Sequence, residues 1–167
     1  MAISNTPNTN NSFEKGPIRP PSEAKSLLIR LTRNCPWNKC TFCPVYKGAK
    51  FSIRDVEDVK ADIDSIFEIS KEIKELSFKM GYAGEVTNDV IRQVFSGGLG
   101  YNDEVKFIAF WLYNGGKHVF LQDANSLVMK PPEILEILTH LKERLPDVDR
   151  ITTYARSATT ARMKIED

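Results

Sequence analysis

The stretch from Ser26 to Cys43, SLLIRLTRNCPWNKCTFC, contains the features that decide the fold class and the candidate site. Its first part, Ser26–Arg33, is rich in leucine and isoleucine, which is typical of a buried strand in a parallel sheet. Residues 34–50 follow as a loop, because two prolines and a glycine interrupt regular structure there. All three cysteines of the chain lie in this loop, directly after the predicted strand.

Strand and helix patterns alternate along the rest of the chain. The predicted helices cover 52–76, Asn88–Phe95, Asp103–Tyr113 and 131–145, with another beginning at Met163, and the later predicted strands are His118–Leu121 and Arg150–Tyr154. This alternation predicts an α/β fold built from right-handed βαβ units around a parallel sheet.

Three loops follow the predicted strands: Asn34–Cys43, Gln122–Asn125 and Ala155–Thr160. Because parallel strands end at the same edge of a sheet, and ligands of α/β folds bind there, these loops are expected to form one site.

Length and composition suit one soluble domain. The 167 residues are 41% hydrophobic and 27% charged, which excludes a wholly disordered chain. The longest uncharged apolar run, Phe107–Tyr113, is too short to cross a membrane. Residues 1–22 lack apolar periodicity and are predicted to be a mobile leader. An odd number of clustered cysteines is atypical of a disulfide scaffold, so we expect reduced thiols and a cytoplasmic location.

The segment Ala24–Arg54 carries seven basic residues and no acidic one, although the net charge of the whole chain is only +1. One interpretation is an ordinary solvated basic face. The other is a positive field around the cysteines, which would lower thiol pKa values and suit an anionic ligand.

The cysteines have the spacing C-x4-C-x2-C at Cys35, Cys40 and Cys43. Soft thiolates select iron–sulfur clusters, zinc or copper(I). A structural zinc needs a fourth ligand, which would have to be a distant residue such as His118. Three cysteines instead leave one iron of a [4Fe–4S] cluster open to a ligand, as a catalytic cluster requires. Three cysteines without any metal remain the alternative.

This segment resembles the cluster loop of radical S-adenosylmethionine (radical SAM) enzymes, most closely their elongator-like and methylthiotransferase-like branch. In that family the loop follows the first strand of a partial (β/α)6 barrel, and an aromatic residue, here Phe42, precedes the last cysteine. The usual first spacing is C-x3-C, so this chain has one more residue between Cys35 and Cys40.

The resemblance extends to the later strands. His118–Asn125 resembles the second strand and the loop that holds the amino group of the methionine moiety, and Arg150–Arg156 resembles the third strand. The resemblance implies metal ligands at Cys35, Cys40 and Cys43 and cofactor-binding residues at Phe42, Gln122, Asp123, Asn125, Tyr154 and Arg156.

The implied fold is an incomplete parallel (β/α) barrel, with about three βα units of a partial TIM-type barrel in residues 23–167 and a helical insertion around 84–116. The implied activity is reductive cleavage of S-adenosylmethionine to a 5′-deoxyadenosyl radical. The implied partners are an electron donor such as flavodoxin or ferredoxin, an unidentified substrate and a missing C-terminal half, without which the chain is expected to be inactive. No membrane partner is expected.

Two alternatives remain. Plant-type ferredoxins share the C-x4-C-x2-C spacing, which allows an iron–sulfur electron carrier, but they use a fourth cysteine that this chain lacks. A zinc-binding nucleic-acid module would use the basic segment, but the whole chain has no basic excess to match.

Overall fold

The computed structural model describes residues 12–96 and 101–164, which form an α/β fold. The strands are β1 (Leu27–Arg30), β2 (Thr32–Arg33), β3 (Ser52–Ile53), β4 (His118–Gln122) and β5 (Arg150–Thr153). The helices are α1 (Val56–Lys79), α2 (Asn88–Phe95), α3 (Asp103–Tyr113), α4 (Pro131–Arg144) and the short α5 (Ser157–Thr160).

The main sheet has three parallel strands in the order β1-β4-β5. Leu27 is in register with Val119, and His118 is in register with Arg150. The predicted parallel α/β arrangement is therefore confirmed. Over the described residues the sheet is open, and it does not close into a barrel.

The core lies between this sheet and the helices α1, α3 and α4. Ile29 of β1 and Leu121 of β4 are fully or almost fully buried, as are Ile63 of α1, Ile108 of α3 and Ile137 of α4. The helical spacing of these apolar residues places them on the helix faces that meet the sheet.

The apolar run Ser26–Arg33 does not form the single strand that the sequence predicts. The backbone N–H of Leu31 donates to Gln122 at 2.7 Å, and its carbonyl accepts from the Arg54 N–H at 3.0 Å. Leu31 therefore joins two sheets, because β2 turns away to pair with β3. The same pairing explains why α1 begins at Val56, after β3, and not near Ser52 as predicted.

The predicted helices Asn88–Phe95 and Asp103–Tyr113 are confirmed with those bounds. The Asn102 side chain caps α3 by accepting from the Val105 N–H at 3.0 Å. Residues 157–160, which the sequence assigns to a loop, form α5. Residues 165–167 of the helix predicted to begin at Met163 lie outside the described residues, and Met163 and Lys164 are not helical.

Part of the predicted mobile leader is packed against the rest of the protein. Phe13 is 7% exposed, and its ring centroid lies 6.1 Å from that of Phe107. We call residues 13–18 the strap. Its attachment depends on one aromatic side chain and several polar contacts with distant residues, and neither produces a periodic sequence pattern.

No helix in the described parts of the chain is long and apolar enough to cross a membrane.

Candidate cluster loop and strand-end site

The cysteines lie in a loop whose two ends are held together. We call residues 34–51 the cysteine loop. On either side of it, Thr32 pairs with Ile53 and Arg33 with Ser52 in an antiparallel ladder. The Asn34 side chain donates to the Lys50 carbonyl at 2.7 Å. The loop is therefore anchored at the carboxyl end of β1, where the sequence predicts a ligand site.

Two asparagines shape the start of this loop. Asn34 and Asn38 adopt left-handed backbone conformations, with φ of 68° and 45°. Asparagine tolerates this conformation better than most residues. The Asn38 N–H donates to the Cys35 sulfur at 3.5 Å, and its side chain donates to the Ala49 carbonyl at 3.2 Å. These contacts turn the chain back immediately after the first cysteine.

The three cysteines are free thiols and partly exposed. Among the described residues, no three His, Cys, Asp or Glu side chains lie close enough together to hold a metal ion. The donor set fits a cluster chemically, because three accessible thiols share one short loop. The structure does not, however, gather the three sulfurs around a common point.

His118 cannot supply a fourth zinc ligand to this loop. It begins β4, at the end of the sheet opposite to the cysteine loop. Its ring lies 3.7 Å from an Asp149 carboxylate oxygen and 3.3 Å from an Arg150 guanidinium nitrogen. A zinc site built from the cysteines and His118 is therefore excluded by the parallel topology.

Aromatic and cationic side chains connect the cysteine loop with the residues after β5. The Arg156 guanidinium lies 4.1 Å from the centroid of the Trp37 ring, and the Lys39 ammonium lies 5.1 Å from it. Phe42 is 85% exposed, so its ring is open to a ligand. Tyr154 packs edge-on against Phe120 with centroids 5.3 Å apart. The structure thus brings Arg156 to the cysteine loop, whereas Tyr154 contacts the sheet.

Asn125 has a structural role in this arrangement. It is 1% exposed, its side-chain oxygen accepts from the Arg156 N–H at 3.2 Å, and its amide donates to the Thr159 hydroxyl at 2.8 Å. Asn125 therefore ties the loop after β4 to the start of α5.

Asp123 is the most buried acid of the site, with 2% exposure. Its Oδ2 accepts from Arg30 Nη2 at 2.5 Å, from Arg30 Nε at 2.9 Å and from the Asn34 N–H at 2.8 Å. Its Oδ1 is buried and finds no hydrogen-bond partner among the described residues. One carboxylate oxygen thus holds the site together while the other is available as an acceptor.

Tyr46 lies near Asp123 and was not anticipated from the sequence. It is 2% exposed, and its hydroxyl finds no hydrogen-bond partner in the described part of the chain. Burial raises the pKa of Tyr46, and the negative charge of Asp123 raises it further. Tyr46 is therefore a neutral phenol near the carboxylate, and it makes no hydrogen bond to it. Only its tertiary position reveals this, because a lone tyrosine in a loop carries no motif.

Three arginines form a charged cluster, the arginine nest, below the strap. Arg30, Arg33 and Arg54 all contact Glu14, and Arg54 Nη1 also donates to Asp62 at 2.6 Å. Acids from outside the basic segment therefore neutralise its three arginines. The lysines of the cysteine loop, Lys39, Lys47 and Lys50, remain exposed.

Gln122 is fully buried under the strap. Its side-chain oxygen accepts from the Gly16 N–H at 2.8 Å, and its amide donates to the carbonyls of Gly16 and Ile18. The side chain of Gln122, which the sequence predicts to bind the cofactor, is therefore already hydrogen-bonded to the protein's own backbone.

The attachment of the strap should depend on pH. A hydrogen bond from Arg33 lowers the pKa of Glu14 below its usual 4.5, and the charges of Arg54, Arg33 and Arg30 lower it further. Because the pKa of Glu14 is lower in the folded state, ionised Glu14 stabilises the protein at pH values above its unfolded-state pKa. This stabilisation disappears as the pH falls through the folded-state pKa.

We therefore expect wild type to be more stable than Glu14→Gln at about pH 6, and this difference to shrink towards about pH 3. Urea unfolding at both pH values measures it. A difference that stays constant with pH would show that ionised Glu14 does not fasten the strap.

A separate cleft of about 690 Å³ lies at the other end of the sheet, lined by residues that include Lys74, Trp111, Gly116 and Arg144. These residues precede β4 and β5 or lie near the end of α1. The cleft therefore shares no residue with the cysteine loop.

Comparison with protein-family models, with curated proteins and with solved structures found no match to this chain.

Proposed function

We propose that the protein binds a [4Fe–4S] cluster through Cys35, Cys40 and Cys43 and cleaves S-adenosylmethionine reductively as a radical SAM protein. The observation that carries this proposal is the position of the cysteine loop. It is anchored at the carboxyl end of β1 and contacts Arg156, which follows β5. Three free thiols thus lie at the edge of a parallel sheet where α/β folds bind ligands.

The remaining residues of the site suit the two ends of this cofactor. The bound cluster would supply one electron to the sulfonium centre. The buried Asp123 Oδ1, which lacks a partner among the described residues, would accept a hydrogen bond from the methionine ammonium. The exposed Phe42 ring and the Trp37–Arg156 pair would provide flat surfaces for the adenine.

An external reductant is also part of the proposal, because the chain has no second cysteine set that could hold another cluster. A small flavodoxin or ferredoxin is the class of partner that delivers single electrons. The exposed lysines of the cysteine loop would favour an acidic donor protein.

Anaerobic reconstitution with iron and sulfide, followed by electron paramagnetic resonance, tests the function. We expect a reduced-cluster signal that changes when S-adenosylmethionine is added, because the cofactor binds the open iron. A signal that does not change would favour the electron carrier instead. Stoichiometric zinc and no cluster would favour the zinc module.

A further inference from the structure

The strap lies across the carboxyl ends of β1 and β4. Glu14 forms an ion pair with Arg30, the last residue of β1. The Gly16 N–H donates a hydrogen bond to the side chain of Gln122, the last residue of β4. Ligands of parallel α/β folds bind at these strand ends. The strap therefore occupies the place that the proposed cofactor would need.

Glu14 fills the arginine nest as a ligand carboxylate would. Its Oε1 accepts from Arg30 Nη1 at 2.9 Å, and its Oε2 accepts from Arg33 Nη2 at 2.6 Å. The fit is incomplete, because Arg54 Nε lies 3.4 Å from Oε2 and has no hydrogen-bond partner among the described residues.

The charges of the nest balance only while Glu14 is present. Three arginines face Glu14, Asp62 and Asp123 across the ion pairs of this cluster. Without Glu14, the nest would hold three positive and two negative charges. A surplus of one positive charge matches a single carboxylate.

Gly16 of the strap covers Asp123 but donates no hydrogen bond to its Oδ1. A Cβ added to Gly16 would lie 1.8 Å from Asp123 Oδ1, so only glycine fits this closely. Asp123 Oδ1 nevertheless accepts no hydrogen bond from the described residues. An ammonium group at this position would supply the missing donor. The nest and Asp123 together therefore suit the carboxylate and the ammonium of an amino acid.

We propose that the strap is an internal occupant of this site, and that the amino-acid moiety of S-adenosylmethionine displaces Glu14 from the arginine nest. The ligand carboxylate then contacts the arginines and its ammonium contacts Asp123. This inference rests on the proposed function and adds a regulatory step to it: the free protein is closed by its own strap. The apparent Kd is the intrinsic Kd divided by the fraction of molecules in which the strap is open.

The variant Glu14→Gln tests the inference in the reconstituted full-length chain. It should fold, because Arg30 keeps its ion pair with Asp123 and Arg54 keeps its ion pair with Asp62. Arg33 is partly exposed, so water can solvate its charge. Glu104→Gln is the matched control. It removes a carboxylate 3.5 Å from Lys15 of the same strap, outside the nest. A partly exposed pair of this kind contributes little stability.

In calorimetric titration with S-adenosylmethionine, Glu14→Gln should bind about tenfold more tightly than wild type, while the control stays near wild type. S-adenosylmethionine should also speed tryptic cleavage after Lys15 in wild type, since displacement exposes the strap. If Glu14→Gln does not fold, Gly16→Ala should give the same two results, because its methyl group clashes with Asp123.

Equal affinities in wild type and the strap variants would overturn this inference and leave the proposed function standing. Slower cleavage after Lys15 on adding S-adenosylmethionine would also overturn the inference and not the proposed function, since it would show a strap that closes over the ligand. Failure of every variant to bind S-adenosylmethionine would overturn the proposed function and this inference with it.

Discussion

Cys40→Ala is expected to abolish cluster binding. A [4Fe–4S] cluster held by three thiolates loses its stable attachment when one is removed, so iron and sulfide should fall from about four each per chain to background. The broad absorbance near ~400 nm should disappear with them. Cys40 is only partly buried, so this loss should occur without unfolding, which circular dichroism can check.

Thr41→Ala is the matched control, because Thr41 is the exposed neighbour of Cys40 in the same loop. It should retain full iron and sulfide content. Full cluster content in Cys40→Ala would contradict the ligand assignment.

Asp123→Ala is expected to be the most destabilising single substitution at the site. The change leaves the Arg30 guanidinium, whose side chain is 12% exposed, without its buried partner. It also removes the acceptor of the Asn34 N–H, which anchors the cysteine loop. Breaking a buried pair of this kind costs about 3–5 kcal/mol, which urea unfolding can measure.

Asp149→Ala is the control for this measurement. Its carboxylate also has nitrogen neighbours, the Lys117 ammonium at 3.8 Å and the His118 ring at 3.7 Å, but its side chain is 56% exposed. Removal of such a surface partner should cost less than about 1 kcal/mol. Equal stability of the two variants would show that the buried pair does not hold the site.

Asp123→Asn separates the structural role of Asp123 from its proposed ligand role. The amide keeps the shape of the side chain and an oxygen acceptor but loses the negative charge. We expect this variant to fold, to keep the cluster and to bind S-adenosylmethionine more weakly than wild type. Unchanged affinity would assign Asp123 to the scaffold alone.

Several elements were predictable because their signals are local. Buried strands in a parallel sheet are continuous apolar runs, so β1 and β4 could be read directly from SLLI and HVFL. The helices α2 and α3 follow from apolar residues at helical spacing and from the glycines near their ends. The parallel order of the strands then places the three candidate loops at one edge.

The sequence by itself determined the α/β class, the parallel strands and the position of the cysteines just after the first strand. These depend on periodicity and spacing within short windows. Only the tertiary structure decided that Glu14 neutralises the arginines, that Gln122 is covered by the strap and that His118 lies at the opposite end from the cysteines. Gln122 and Gly16 are 106 residues apart in the chain, and no local pattern encodes such a contact. Burial and ion pairing arise only when the folded chain brings distant side chains together, because charge and solvent exposure depend on the whole surroundings of a group.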